Sequence, residues 1–379
     1  MRESIFHFFT RFLPYGSSGF AALAALLKGG FFIMLFTLPL AGVLTWMERR
    51  QSAMMQDRLG PNRVNLGRFR LWGLPQFVAD AIKMIFKEDF VPPKADKVLF
   101  ALAPMLSVAT ILVASAVIPF GAPLCYGRMT DAVPIGACAA PVEMQAAQMD
   151  AGLLYYFAIA SLAVYGSALA GWASRNKWGL MGGMRAASQM MSYEVTMGMA
   201  VMAMFLLYST LDLGAMVSMQ GNWPWQWGIF GVPQVIAFIL FLTASIAECK
   251  RTPFDIPEGE SEIVGYFVEY SGMRFGMFYM GEFIEIITTS AIMVAVFLGG
   301  WHFPGADQLA TVLPNWVFVF VSILVWSAKV ILFCAFQLLI RWTLPRFRAD
   351  QLLRLGWQRL LPISIANVVL AAGWVLLRR

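Results

Sequence analysis

Eight long apolar runs constrain the fold of this chain more than any other feature. Each run meets or approaches the roughly 20 residues that an α-helix needs to cross the hydrocarbon core of a bilayer. Only 13% of the 379 residues are charged, whereas soluble domains carry about 25%. Because lipid cannot hydrogen-bond to the backbone and no alternating strand pattern recurs, the sequence predicts an all-α integral membrane protein. The predicted spans are about 20–47, 98–119, 151–173, 189–211, 232–249, 273–299, 313–340 and 357–377.

The distribution of lysine and arginine predicts how these spans are oriented. Of the 28 basic residues, 21 fall in four alternate connecting segments, 48–97, 174–188, 248–274 and 341–359. Such basic loops stay on the cytoplasmic side of a bacterial membrane, and a mitochondrial matrix is the equivalent side. We therefore expect both termini to face outward, with 1–19 as an N-terminal segment and 20–379 as one helical membrane domain. The spans separate the basic residues, so nucleic-acid binding is not expected.

Residues that hold redox cofactors are scarce in this sequence. Only two histidines are present, both near predicted outer ends, so paired ligands for a transmembrane haem cannot be built. The four cysteines form no CxxC pair and no glycine-rich nucleotide motif occurs, which argues against iron–sulfur, zinc and nucleotide sites. We expect the chain to bind no metal and no cofactor. Cys125 and Cys138 share an outward loop where a disulfide is permitted, but we favour two free thiols.

A short amphipathic run, about residues 74–87, is expected to lie along the membrane surface. In LPQFVADAIKMIFKED, seven apolar residues share one helical face and polar side chains occupy the other. The run is too short and too polar on one side to cross a bilayer. It can be a simple anchor. The Arg-rich turn before it suggests a second use, as one wall of a portal for a lipid-soluble molecule.

Carboxylates occur inside the predicted spans. Glu194 lies about two turns inside the fourth span, Glu248 ends the fifth, and Glu282 and Glu285 are three residues apart in the sixth. An ionisable residue at a helix centre costs on the order of 2.5–3.5 kcal/mol, so such residues usually face the protein interior and mark a proton or ion route. A single buried glutamate can also serve only as a hydrogen-bonding group between two helices.

The inward loop TPFDIPEGESEIVGYFVEY, residues 252–270, interleaves carboxylates with apolar residues. Such a segment can fold against the bundle, where desolvation and mutual repulsion raise the pKa values of its carboxylates. Coupled carboxylates of this kind can exchange protons near neutral pH. The residues thus indicate a proton relay beside an entrance, with a plain solvated loop as the alternative.

Five stretches resemble one known family. They are ERRQSAMMQDRLGPNRV, LPQFVADAIKMIFKED, GWASRNKWGLMGGMRAASQMMSYEV, AECKRTPFDIPEGESEIVGYFVEY and LPRFRADQL. They are similar to the quinone-site membrane subunit of proton-pumping NADH:quinone oxidoreductase (respiratory complex I), which is the H subunit in bacteria and subunit 1 in mitochondria. The resemblance runs from about residue 20 to the C-terminus, but the outward loop 121–149 is longer than the family pattern.

The resemblance implies eight spans that form a quinone entrance tunnel with the peripheral arm and couple quinone reduction to proton translocation. It implies no catalytic residue of the chain's own. The implied tunnel residues are Glu48, Arg49, Gln56, Arg58, Arg346 and Arg348. The implied proton-channel residues are Glu194, Glu248, Asp255, Glu258, Glu260, Glu262, Glu269 and Glu282.

The resemblance also implies the surroundings of the chain. Quinone is the expected substrate, while FMN and iron–sulfur clusters belong to partner subunits. The expected partners are other membrane subunits, quinone-proximal subunits of the peripheral arm and lipids, in a bacterial inner membrane. Two alternatives stay open: a proton-coupling subunit of a membrane-bound hydrogenase, and a stand-alone transporter. The surface run favours the quinone enzyme, and the absence of a detectable internal repeat argues against a transporter.

Overall fold

The structure, a computed structural model, describes residues 18–64, 71–125, 131–132, 134–135, 141–259 and 265–378. Seven of its helical segments are long and apolar enough to cross a membrane. They are Ala22–Met55, Lys97–Val117, Gly152–Ala173, Lys177–Tyr208, Gly272–Phe297, Asn315–Thr343 and Ala349–Leu377. The predicted class, an all-α membrane protein, is confirmed. The remaining predicted span corresponds to a shorter apolar helix of 17 residues, Val232–Glu248.

The helices follow one another in the order that the apolar runs predict. In chain order they are α1 (Ser18–Gly30), α2 (Leu38–Met55), α3 (Gln76–Phe86), α4 (Lys97–Ala114), α5 (Gly152–Ala160), α6 (Ala163–Ala173), α7 (Lys177–Tyr208), α8 (Leu213–Ser218), α9 (Val232–Glu248), α10 (Gly272–Phe297), α11 (Ala306–Val312), α12 (Asn315–Thr343), α13 (Ala349–Arg354) and α14 (Leu361–Arg378). Two π-helical segments, Phe31–Thr37 and Leu355–Leu360, join α1 to α2 and α13 to α14. Short 3₁₀ turns occupy Leu71–Gly73, Ser115–Val117 and Pro224–Gln226.

Three span boundaries differ from the predicted ones by eight residues or more, and one of them is the start of the last span, at Ala349 rather than 357. The first helix continues to Met55 rather than ending near residue 47. The fourth span begins at Lys177 rather than 189, because the Asn176 side chain accepts a hydrogen bond from the Trp178 N–H and caps the helix. Glycine in this basic segment serves helix packing: a Cβ at Gly182 would lie 2.9 Å from the Tyr266 backbone nitrogen. Most of the predicted loop 174–188 is therefore helix.

Helix α10 is the centre of the bundle. Its residues from Gly281 to Phe297 are all buried. It packs against α2, α3, α4, α8, α9 and α12. A helix surrounded on all sides can carry polar residues only where neighbouring elements supply partners, and this is the helix that holds Glu282 and Glu285.

The amphipathic helix α3 forms within the predicted bounds and has no buried residue. Its predicted apolar face points away from the protein, with Ile82 51% and Phe86 83% exposed. Its polar face turns toward α2, where the Asp80 carboxylate lies 2.7 Å from the Arg49 guanidinium. An apolar face directed away from the protein fits a helix seated in the membrane interface.

The connection between α4 and α5 holds a short antiparallel ladder that the sequence did not predict. Its strands are β1 (Leu124–Cys125) and β2 (Pro141–Val142). Cys125 is disulfide-bonded, so the preference for a free thiol there was wrong, while Cys138 lies outside the described residues. The buried thiols of Cys249 and Cys334 are free.

Candidate functional site

The acidic loop after α9 folds back against the bundle, as predicted, in the parts that are described. Phe254 and Tyr266 are buried. The Gln189 side chain of α7 donates hydrogen bonds to the carbonyls of Ala247, at 2.6 Å, and Phe254, at 2.7 Å. The Phe254 ring stacks on Phe347, with centroids 5.4 Å apart. These contacts hold the loop and the segment after α12 together.

A cavity of about 1160 Å³ opens between this loop, the end of α3 and the end of α12. Its charged lining comes from Asp255 and Glu258 of the loop and from Arg341 and Arg346. Its apolar lining is largely aromatic and comes from Phe267, Tyr270, Phe275 and Trp342. A cavity with apolar walls and a few converging charged groups is typical of a small-molecule site.

One arginine, Arg251, links three separate elements behind the cavity. Its guanidinium donates to Glu48 of α2 at 2.7 Å and lies 3.4 Å from the Glu282 carboxylate of α10. The second oxygen of Glu48 accepts a hydrogen bond from Arg341 of α12. Arg251, Glu48 and Glu282 are all at least 93% buried. A buried charge network of this kind is tolerated only because each charge has a partner.

A second ion pair stands at the cavity wall. The Arg346 guanidinium donates to the Asp255 carboxylate at 2.7 Å. The Asp255 side chain is 9% exposed and that of Arg346 is 37% exposed, so solvent reaches only the arginine. The cavity wall thus carries both members of this pair, together with Arg341, whose partner Glu48 lies behind the wall.

Further carboxylates extend from the cavity into the bundle. Glu258 is buried and interacts electrostatically with Glu282. Glu285 interacts electrostatically with Glu282 and with Lys250. Glu248 interacts in turn with Glu285 and Glu194. The described residues therefore form a series of ionisable side chains that interact electrostatically, from the cavity to Glu194 of α7.

The two loop carboxylates in the cavity wall are easier to protonate than free ones. Burial raises the pKa of Asp255 to about 6, although the neighbouring Arg346 and Arg341 oppose that rise. Burial, followed by the negative charge of Glu282, raises the pKa of Glu258 well above its usual value. Carboxylates with pKa values nearer neutrality can both take up and release protons.

A buried lysine lies near these carboxylates. Lys250 is buried, and burial lowers its pKa, but Tyr266, Glu285, Glu282 and Glu258 together raise it above the usual lysine value. Its ammonium lies 5.5 Å from the centroid of the Tyr266 ring. Lys250 thus remains a permanent positive charge among the carboxylates.

Several predicted residues lie away from this cluster. Arg49 pairs with Asp80 of α3, and Gln56 accepts a 2.6 Å hydrogen bond from Arg58 on the exposed turn after α2. The Arg348 side chain is 76% exposed and pairs with Asp350. Glu269 accepts a hydrogen bond from the helix-capping Asn176. Glu260 and Glu262 lie outside the described residues.

Four cluster members were not among the predicted site residues: Lys250, Arg251, Glu285 and Arg341. Lys250 and Arg251 come two and three residues after Glu248 in AECKRTPFD, so their place beside a carboxylate series was a usable signal. Arg341 gave a weaker signal, since a basic residue at the inward end of a span is common. In the part of the chain that the structure describes, no group of three or more His, Cys, Asp and Glu side chains is arranged to hold a metal ion.

Comparison with known proteins identifies the family of this chain. The model of the NADH dehydrogenase family matches residues 28–372. The H subunit 1 of NADH-quinone oxidoreductase from Geobacter metallireducens is 45% identical over 350 residues, which is 92% of this chain and 95% of that protein. The H subunit 2 from Koribacter versatilis is 42% identical over 96% of this chain and its own full length. The H subunit from Methylococcus capsulatus is 42% identical over 90% of this chain and 95% of its own. The chain therefore belongs to the NADH dehydrogenase family, alongside these bacterial H subunits.

Proposed function

We propose that this chain is the membrane subunit of a bacterial NADH-quinone oxidoreductase that forms the quinone site with the peripheral arm and passes protons through its carboxylates. One observation carries the proposal: from Asp255 in the cavity wall to Glu194 of α7, each ionisable side chain interacts electrostatically with the next one in the series. The names of the related proteins supply the reaction. They also favour this function over the hydrogenase and transporter alternatives.

The cavity has the chemistry that a quinone requires. Phe267, Phe275 and Trp342 offer aromatic and apolar surface to a ring and its isoprenoid tail, while Arg341 and Arg346 can donate hydrogen bonds to the ring oxygens. Helix α3 ends at the cavity, which Lys87 also lines. A quinone dissolved in lipid would reach the cavity beside this surface helix. Partner subunits of the peripheral arm would cover its open side and supply the electrons.

Arg49, Gln56, Arg58 and Arg348 stay in the proposal as residues that border the outer part of the tunnel. They lie on the exposed inward side of α2 and before α13, where a peripheral-arm subunit would have to sit. Glu269, with Glu260 and Glu262, stays in the proposal as part of the channel entrance. Because Glu269 accepts a hydrogen bond from Asn176, its position supports a role at the edge of the channel.

Charge balance explains why the cluster would carry protons. Six carboxylates (Glu48, Glu248, Asp255, Glu258, Glu282 and Glu285) share four cations (Lys250, Arg251, Arg341 and Arg346). Full ionisation would leave a net charge of −2 in a poorly solvated region, which is costly. We infer that some carboxylates keep a proton at neutral pH and that a change of charge in the cavity redistributes these protons.

The topology of the proposed subunit has eight crossings. Helix α9 is 17 residues long, or roughly 25 Å at 1.5 Å per residue, at the lower limit for a span. With α9 counted, an even number of crossings places both termini on one side. The distribution of basic residues makes that side the outward, periplasmic one.

The test is a Glu248→Gln variant of the intact complex. The amide keeps the shape of the side chain and removes the titrating proton, so assembly and flavin content should stay near the wild-type level while proton pumping per NADH falls severalfold. The matched control is Glu88→Gln, which alters an exposed carboxylate near the surface helix. Wild-type pumping by Glu248→Gln would remove Glu248 from the route. Purification of the chain without flavin-containing partners would contradict the subunit assignment itself.

A further inference from the structure

A second cavity, of about 520 Å³, lies where α6 turns into α7 and is separate from the acidic one. Its lining includes Trp172, Arg175, Asn176, Lys177 and Asp96. This is the basic, glycine-containing segment that stands out in the sequence, and the proposed proton route does not use its cations. The cavity therefore needs its own explanation.

The turn that presents the two cations is held in one conformation. Only three residues separate α6 from α7. The Ser174 hydroxyl donates to the Gly171 carbonyl at 2.9 Å, and the Arg175 N–H bonds to the Trp172 carbonyl at 3.3 Å. A Cβ at Gly171 would lie 2.5 Å from the Gly179 carbonyl oxygen, so the two helices meet backbone to backbone. A ligand would therefore find the backbone of the site already ordered.

The cations in this cavity have no ion-pair partner among the described residues. Arg175 and Lys177 are exposed, and the ammonium of Lys177 lies 5.5 Å from the centroid of the Trp178 ring. The nearby carboxylates are already engaged. Asp96 accepts hydrogen bonds from the backbone N–H groups of Val98 and Leu99 and caps α4. Glu269 accepts one from Asn176.

The position of the cavity indicates which anion it meets. Trp172 and Trp178 are 64% and 49% exposed on the last turn of α6 and the first turn of α7. Exposed tryptophans at the ends of spanning helices lie at the level of the lipid headgroups. Lys94 and Lys97, also exposed, lie on the adjacent turn, which the Asp96 N–H ties to the Ala173 carbonyl at 3.1 Å. Two cations thus line the cavity, and two more lie on the turn beside it.

We propose that this cavity binds the phosphate of an anionic phospholipid, with Arg175 and Lys177 holding the headgroup between Trp172 and Trp178. A guanidinium can pair with two phosphate oxygens at once, and the ammonium adds a second charge. The positive end of α7, a helix of 32 residues, favours the same anion. A soluble phosphate would satisfy the cations, but it would gain nothing from the flanking tryptophans, whose exposed rings suit acyl chains and glycerol.

The experiment uses the intact complex in vesicles of phosphatidylcholine that contain a small fraction of phosphatidylglycerol with a photoreactive headgroup. After illumination, mass spectrometry should locate cross-links within residues 171–180. Removing a cation near a membrane surface weakens anionic-lipid binding by about fivefold, so Arg175→Gln combined with Lys177→Gln should lower the yield at least tenfold. The control combines Arg359→Gln and Lys83→Gln, which removes the same two residue types from exposed positions outside the cavity.

Each other outcome overturns the proposal. Wild-type complex without cross-links in this segment would show that no anionic lipid enters, whether or not the double variant folds. An equal loss of cross-linking yield in the control variant would show that the effect comes from general surface charge. Displacement by millimolar inorganic phosphate would identify a soluble-anion site. Cross-links that join this segment to another subunit would assign the cavity to a protein interface.

Discussion

Removing the positive charge of Arg346 should move the pH dependence of quinone reduction, because Arg346 holds the Asp255 carboxylate in its ionised form. The guanidinium donates to Asp255 at 2.7 Å, and burial has already raised the pKa of Asp255 to about 6. In Arg346→Gln the lowering effect of the arginine disappears, so the pKa of Asp255 rises further. If the relay requires the ionised form, the acid limb of the pH–rate profile moves to higher pH.

The size of this shift follows from the exposure of the pair. Two unit charges about 4 Å apart interact by about 4 kcal/mol near a protein surface and by about 1 kcal/mol in bulk water. The arginine side chain is 37% exposed and the carboxylate 9%, so we take about 1–2 kcal/mol after allowing for solvent screening. One pKa unit corresponds to 1.36 kcal/mol, and the expected shift is therefore about one unit, from about 6 toward about 7.

The assay is the rate of NADH:quinone reduction by the reconstituted complex between about pH 5 and 9, a range that brackets both pKa values. The comparison variant is Arg348→Gln, which removes the same charge from a position two residues further along the chain. The Arg348 side chain is 76% exposed and pairs with Asp350. Its profile should stay within a few tenths of a unit of the wild type. An acid limb that is unmoved in Arg346→Gln, or that moves to lower pH, would show that Asp255 is not the group that titrates.

Three further predictions concern the framework of the site. Arg251→Gln leaves the buried Glu48 and Glu282 without their shared cation. Because breaking such a buried pair costs about 3–5 kcal/mol, we expect the assembled complex to be lost on native gels. Arg251→Lys should partly restore it. Ile82→Glu puts a charge on the exposed apolar face of α3 and should lower quinone affinity in lipid vesicles. Lys83→Glu, on the polar face, should leave that affinity unchanged. Equal KM values for quinone in the two variants would contradict the seating of this helix in the membrane. Lys329→Met removes an ammonium that donates hydrogen bonds to the carbonyls of Leu298, Gly300 and His302, just after α10. Each buried carbonyl left unpaired costs about 1–3 kcal/mol, so thermal stability should fall while the assembled enzyme keeps its pH profile. An unchanged melting transition would refute this.

The elements were largely predictable because apolar length and helical periodicity are local properties of the sequence. The surface helix shows this well: α3 falls within the predicted bounds of 74–87, and five of the seven apolar residues predicted to share a face are exposed (Val78, Ala81, Ile82, Ile85 and Phe86). Of the other two, Phe77 is half-buried beside Gly42 of α2, and Leu74 precedes the helix. The start of α7 was missed by twelve residues because its first turns contain Lys177, Gly179, Gly182 and Gly183, a composition typical of loops. What makes this segment helical is the Asn176 cap and close contact with α6 and the acidic loop. Those contacts join distant parts of the chain.

The partners within the site were harder to predict than its members. Glu48 meets Arg251 and Arg341, which are 203 and 293 residues away in sequence. Nothing in the local pattern around Glu48 indicates either arginine, and basic residues in these positions are explained equally well by the orientation of the spans. In the acidic loop the converse applies, because residues that are close in sequence have different partners in the structure. Five carboxylates stand close together in its sequence, yet Asp255 and Glu258 line the cavity while Glu269 bonds to the cap of α7.

The order of charges suggests how the proposed coupling would work without large movements. Arg341 and Arg346 stand at the cavity, so a negative charge that forms there would attract both and weaken their hold on Glu48 and Asp255. Glu48 would then draw more strongly on Arg251, which it shares with Glu282. Glu282 would then keep a smaller share of that cation, and Glu282 in turn interacts electrostatically with Glu258. Because these groups are buried, salt would screen the sequence of effects little. Coupling by this mechanism should therefore persist at high ionic strength, where a mechanism based on exposed surface charges would fail.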